Sequence, residues 1–219
     1  MKVSLISHMG GDLQIVNAAR VSFHKESSLV EGELKEADVK LLNYLAKHGH
    51  WTPFGHTALS FRIKAPIFVA RQLGKHQVGL VWNEVSRRYI TEEPEFYVPT
   101  KLRAKADNVK QGSSSKAVLL DPFASKRYEA HAKESLKLYL TLLDRGVCPE
   151  QARTVLPQNM YTEWIWTGNL YAFHNVVHKG TGPDTQLETQ WVAHQIKKHL
   201  YEQYPSSSEA LFGTPTKRD

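Results

Sequence analysis

Residues Thr57 to Ala65 alternate along the chain, with Leu59, Phe61 and Ile63 interleaving Ala58, Ser60 and Arg62. A side-chain period of two belongs to a strand with one buried face. Pro66 follows at once, and proline is tolerated in the first turn of a helix. Ile67 to Leu73 is therefore read as a helix springing from the end of that strand, carrying Arg71 and Gln72. A sheet with helices packed on it follows. Helix candidates outnumber strand candidates, and the two do not alternate regularly. The expected class is α+β, a mixed or antiparallel sheet with several packed helices, and not a doubly wound sheet.

The remaining elements fit around this junction. Val3 to Ile6 reads as a short strand before a Gly-Gly turn, and Ile15 to Arg20 as a short helix. Gly32 to His48 carries an apolar stripe of Leu34, Val39, Leu42, Leu45 and Ala46, and Gly49 can supply a left-handed stop. Residues 100–120 are polar and read as a loop, with Asp121-Pro122 as a start signal. Tyr128, Ala132, Leu136, Tyr139 and Leu143 have helical spacing up to Gly146. A short helix from Pro149 to Val155 follows. Tyr161 to His178 reads as one largely buried aromatic helix. A last helix runs from a cap at Asp184 to Tyr204, and the tail from about 206 is expected to fray. The whole, 1–219, is expected to form a single domain.

Composition excludes several classes. At 219 residues, with 41% hydrophobic and 23% charged, the chain can bury a core without staples. One cysteine, Cys148, allows no intramolecular disulfide. No apolar run reaches the length of a membrane span, nor does the N-terminus carry a secretory h-region, so a cytoplasmic location is expected. The formal net charge of +6 favours anionic partners without choosing among them.

No G-x-G-x-x-G or Walker-type glycine loop is present, so a bound nucleotide would need another cradle. Cys148 has no nearby histidine to activate it. His48, His50 and His56 fall within nine residues, but in a turn with no acidic ligand; a polar turn beside an anion competes with a metal site. Arg71, Gln72, Lys75, His76 and Gln77 offer the donors that a phosphate or flavin edge needs. If residues 83–89 are extended, Glu84, Ser86 and Arg88 share a side, a plausible clamp for a nucleoside monophosphate. Ser86 lacks a neighbouring base and reads as a positioning group, not a nucleophile. Arg153, between Ala152 and Val155, is expected to be paired or to bind an anion. Asn169 and Asn175 are amides on an aromatic-rich segment that need partners, in the core or from a ligand.

Together these segments resemble the flavin-dependent thymidylate synthase family, whose signature runs Arg-His-Arg-x-x-Ser-x-Asn-Glu-x-Ser-x-Arg-Tyr. The second half stands complete as Asn83-Glu84-Val85-Ser86-Arg87-Arg88-Tyr89. Ala19 to Phe23, His50 to His56, Lys64 to Gln72, Phe96 to Pro99, Lys110 to Ser113, Ala152 to Pro157 and Trp166 to Asn169 look like the same family, in order, over most of residues 18–191. The resemblance implies reductive methylation of dUMP to dTMP, with FAD as cofactor and methylenetetrahydrofolate and NADPH as co-substrates. By matching positions, Gln72, Lys75, Glu84, Val85, Ser86, Arg87, Arg88 and Arg153 would hold dUMP. Thr52, Lys75, His76, Gln77, Glu84, Asn169 and Asn175 would contact FAD. Ser86, Arg88 and His50 would be catalytic. The resemblance further implies a homotetramer with shared active sites, small-molecule partners only (dUMP, folate and NADPH), no nucleic acid and no membrane.

Two departures stand out. Arg-His-Arg reads Lys75-His76-Gln77, one residue too far from Asn83 and without the signature's serine. Lysine keeps charge but loses the guanidinium fork, which implies altered flavin phosphate contacts. The late arginine that activates uracil falls, counting from Asn169, on Gly180; Lys179 or His178 would have to supply the cation, with Lys179 the candidate carried forward. A related flavin enzyme making a different C5 modification of dUMP, and a non-catalytic nucleotide- or nucleic-acid-binding protein, are the alternatives.

Overall fold

A computed structural model describes residues 1–107, 112–118 and 122–214. In chain order the elements are β1 (Lys2–Met9), α1 (Asp12–Arg20), α2 (Glu36–Lys47), β2 (Ala58–Pro66), α3 (Ile67–Leu73), β3 (Leu80–Glu84), β4 (Arg103–Lys105), β5 (Ser113–Ala117), α4 (Pro122–Asp144), α5 (Pro149–Ala152), β6 (Tyr161–Gly168), α6 (Leu170–Gly180), α7 (Leu187–Gln203) and α8 (Pro205–Phe212). The main sheet has the order β1-β2-β6-β3, all neighbours antiparallel. The class is α+β.

β2 is the strand its alternation predicts. Leu59, Phe61, Ile63 and Ala65 are buried, while Arg62 stays exposed and pairs with Glu163 on β6. The inner face meets α6 and α7: Phe61 lies edge-on to Phe173 at 4.9 Å, and Trp166 meets the same ring at 5.5 Å. Trp82 stacks on Trp164 at 4.4 Å and ties the edge strand β3 to β6. Such ring pairs add about 0.5–1.5 kcal/mol each beyond the area they bury. On one flank Asp38 is fully buried, holding Arg20 Nε (2.8 Å) and Ser27 Oγ (2.5 Å). Burial raises its pKa, but those hydrogen bonds and the Arg20 charge outweigh it and leave the carboxyl below the usual range.

Four expectations are corrected. Tyr161 to His178 is not one helix: β6 occupies its first half, burying Thr162, Trp164 and Trp166, and α6 starts only after Asn169. Residues 103–105 and 113–117 form a small hairpin within the supposed loop; Lys110, Gln111 and Asp121 lie outside the described residues. The last long helix is capped at Gln186, not Asp184. The tail does not fray at 206. Pro205 starts α8, whose Ser207 and Ser208 are buried, and Asp12 accepts the backbone N–H groups of Ser206 (2.9 Å) and Ser207 (3.0 Å). Tyr204, at the junction, is fully buried and donates to the carbonyls of Met9 and Ala58.

Candidate active site

The loop 74–79 leaves α3 and enters β3, so Lys75, His76 and Gln77 fall between the helix end and the sheet edge. With Ile67, Ala70, Arg71, Leu80, Trp82 and Glu84 they line a cleft of about 380 Å³. Its floor is apolar and its rim cationic or amide. Gly79 has φ +72, and a Cβ there would stand 3.2 Å from the Cβ of Ala172 and 3.6 Å from Nδ2 of Asn169. Only glycine lets the loop lie this close to the start of α6.

A second cleft of about 220 Å³ lies on the other side of Glu84, lined among others by Ile67, Val85, Arg87, Arg153, Tyr161 and Thr162. Glu84 and Ile67 line both clefts. The Glu84 carboxylate is fixed from within the sheet: Thr162 Oγ1 donates to one oxygen at 2.6 Å and Trp82 Nε1 to the other at 3.1 Å. An exposed carboxylate held at both oxygens is a preset acceptor between an apolar-floored cleft and one flanked by two guanidinium groups.

The extended reading of residues 83–89 is corrected. The strand ends at Glu84 and the chain turns through Arg87 to Tyr89. Ser86 and Arg88 still meet, because Arg88 Nε reaches Ser86 Oγ at 3.3 Å within the turn. The Arg88 guanidinium lies over the Tyr89 ring at 5.0 Å, and Arg87 is held by the carbonyl of Glu92. Arg153 is also corrected. It is exposed, it follows α5 in a short 3-10 turn (Arg153–Val155), and its hydrogen bond is a long one of 3.4 Å to the Glu150 carbonyl. The burial that demanded a partner is absent.

Asn169 caps α6, its Oδ1 accepting from Ala172 N at 2.8 Å. The capping explains the residue without a ligand, while its Nδ2 faces Gly79. Asn175 is exposed on α6. His50 and Thr52 lie beyond Gly49, on the turn after α2, and do not line either cleft. His48 and His50 gather around the Tyr44 ring, at 4.4 and 5.8 Å. Cys148 is exposed at the start of α5.

The end of α6 carries Gly180, where the resemblance expects an arginine, and Lys179 before it. Gly180 is buried, and a Cβ on it would stand 2.8 Å from the Cβ of Ala193 on α7. No long side chain leaves the helix there. Lys179 is exposed, and its charge reaches the 74–79 loop: the His76 pKa is lowered first by burial and then by Lys179.

Sequence reasoning missed three groups: the Trp82 and Thr162 donors to Glu84, the hydrogen bond of Thr189 Oγ1 to Gln72 Oε1 at 2.8 Å, and a half-buried clasp on α7. In the clasp Glu188 takes both Arg103 Nη atoms, at 2.9 and 3.0 Å, and the Tyr97 hydroxyl at 3.2 Å. Burial raises the Glu188 pKa, but the hydrogen bonds from Arg103 lead a net lowering; burial, then the Glu188 charge, push Tyr97 up to about 12. Glu188 was visible as half of the Gln-x-Glu pair, but its partners lie 85 and 91 positions away.

Known proteins share both the sequence and the fold of this chain. The family model described as thymidylate synthase complementing protein matches residues 4–206. A flavin-dependent thymidylate synthase of Thermosipho africanus is 37% identical over 220 residues, covering 98% of this chain and 92% of the relative. One from Thermus thermophilus is 37% identical, covering 93% and 72%. Among solved structures, the UMP/dUMP methylase PolB of Streptomyces cacaoi, bound with 5-Br dUMP, superposes with a TM-score of 0.80 at 30% identity, covering 95% of this chain and 93% of that one. Matched along nearly its whole length by model and relatives alike, the chain belongs to the flavin-dependent thymidylate synthase family.

Proposed function

We propose that the protein converts dUMP to dTMP, with FAD bound, methylenetetrahydrofolate as carbon donor and NADPH as reductant. The observation that carries this reading is Glu84, one preset carboxylate between two clefts of different character. The 220 Å³ cleft, flanked by Arg87 and Arg153, suits the nucleotide phosphate. The 380 Å³ cleft, with Trp82, Leu80 and Ile67 as floor and Lys75, His76 and Gln77 as rim, suits a flat ring with polar edges. It lies at the small end of ligand pockets, roughly 300–1,000 Å³, and a dinucleotide overruns it. A homotetramer with shared sites would complete it. Exposed Val78 (93%), Tyr89 (76%) and Phe23 (76%) are apolar surface that such an assembly would cover.

Bound FAD supplies hydride chemistry that no side chain here possesses. The protein's part is to bind, orient and place charge. Lys75, His76, Gln77, Thr52, Asn169 and Asn175 would hold the flavin, with Glu84 as acceptor. Gln72, Lys75, Val85, Ser86, Arg87, Arg88 and Arg153 would hold dUMP, with Arg88 fixing the Ser86 hydroxyl, and His50 would face the folate. As uracil C5 becomes nucleophilic, negative charge develops on the ring, and Lys179 is the cation we assign to it. Gly180 cannot carry that role.

Tritium release from C5-labelled dUMP, with FAD, NADPH and methylenetetrahydrofolate, tests the reaction. A purified protein that is colourless and shows no FAD binding by fluorescence titration overturns the reading. Lys179→Ala is expected to slow release about 100-fold and His178→Ala to change it little; equal rates in wild type and Lys179→Ala would remove Lys179 from the mechanism. The glycine at 180 also favours a second reading, a different C5 modification of the same nucleotide, and the product mass separates the two.

A further inference from the structure

Gln72 ends in an amide with two faces, a carbonyl that accepts and an NH₂ that donates. An untethered glutamine presents either. Here Thr189 Oγ1 donates to Gln72 Oε1 at 2.8 Å, and Thr189 is 1% exposed while Gln72 is open to solvent. One lone pair of the carbonyl is therefore taken by the protein interior. Among the described residues Nε2 has no partner. Thr189 is itself well fixed. It sits in the first turn of α7 beside Glu188, whose carboxylate is clasped by Arg103 and Tyr97, so the hairpin of β4 and β5 anchors the helix end that carries it.

We propose that Thr189 is a positioning residue that holds the Gln72 amide with its NH₂ turned toward the nucleotide. The inference rests on the reading of Gln72 as a dUMP contact. A fixed NH₂ favours an acceptor on the ligand, a uracil carbonyl or a phosphate oxygen, and repels a ligand that offers N–H at the same point. Two buried groups, Thr189 and the Glu188 that is clasped beside it, would thus set the polarity of one that meets substrate.

The test is titration of the full-length, flavin-loaded protein with dUMP, together with steady-state kinetics. Thr189→Val removes the donor at nearly constant volume and frees the amide to rotate. Its Kd and KM for dUMP are expected to rise about five- to tenfold, the scale of one hydrogen bond, while kcat at saturating dUMP changes less than twofold. Thr189→Ser keeps a hydroxyl and restores wild-type KM. Gln72→Glu keeps the acceptor for Thr189 but presents no N–H, and is expected to lose at least tenfold in dUMP affinity with an unchanged Tm. Wild-type affinity in Thr189→Val overturns the inference. So does an equal fall of kcat and affinity in Thr189→Val and Thr189→Ser alike, which marks a merely structural role. A wild-type protein that binds no dUMP overturns the reading of Gln72 on which the inference stands, and that result is read before any variant is made.

Discussion

An alanine at position 180 would bring its Cβ to 2.8 Å from the Cβ of Ala193, closer than real Cβ contacts come. Overpacking of this kind costs about 1–3 kcal/mol. Replacing a helical glycine returns up to about 1 kcal/mol through the unfolded chain. Gly180→Ala is therefore expected to lower stability by about 1 kcal/mol, or about 2–4 °C in Tm for a chain of this length. Calorimetry checks it, and a raised Tm would show that α6 and α7 separate easily. The glycine at the position where the resemblance expects an arginine was legible in the sequence. The crowding that keeps a side chain from that position was not, because the approach of Gly180 to Ala193 exists only where α6 crosses α7. The Glu84 donors were hidden likewise. Thr162 lies 78 positions from Glu84, and only the β3–β6 register brings them within a hydrogen bond.

Among the elements, β2 and α3 were read correctly because their patterns were undisturbed: a clean period of two, then a proline, then an apolar turn. β6 was lost because it runs into α6 with no break in its aromatic content. Tyr161, Trp164, Trp166, Tyr171 and Phe173 form one aromatic stretch, and only Gly168-Asn169 marks the change of period. The alternation was nonetheless present, with Thr162, Trp164 and Trp166 inward and Ile165 outward. α8 failed for another reason. Pro205-Ser206-Ser207-Ser208 is polar, and polar ends of chains usually fray. What holds the helix is Asp12, 194 residues before Ser206, which caps two N–H groups at its first turn. Removing a capping carboxylate costs about 1–2 kcal/mol. Asp12→Ala is expected to lose that amount in urea unfolding, with faster amide exchange in α8 than in α7; Asp12→Asn keeps an acceptor and loses less. Equal exchange in both helices of Asp12→Ala would show that packing alone secures α8.

Over the whole molecule, the segments of the candidate site were legible in order but not in arrangement. Lys75 to Gln77 line one cleft, Val85, Arg87 and Arg153 line another, and Glu84 lines both, while His50, Thr52, Ser86 and Arg88 line neither. What sequence could not hold at all is the electrostatic cost of folding around neutral imidazoles. His174 lies on α6 between Tyr171 and Phe212, with its Nδ1 buried and, among the described residues, unpartnered. Burial first, and then the charge of His178, lower its pKa to about 4; His76 is lowered in the same direction. In the unfolded chain an imidazole takes its proton near pH 6.5. Between that pH and about 4 the unfolded state therefore binds more protons, and stability falls as pH falls. The stability is complete above about 6.5 and erodes through the acid range. At pH 5 the His174 share is on the order of 2 kcal/mol, or about 4–8 °C. A phenylalanine at 174 stays neutral and fits between the two rings already there. His174→Phe should thus lose about 4–8 °C less than the wild type when Tm is measured at pH 7 and again at pH 5. Identical losses in the two proteins would place the acid sensitivity elsewhere, on His76 first; Asp38 and Glu188, with lowered pKa values, keep their stabilisation until pH drops toward and below the usual carboxylate range, under the interval compared.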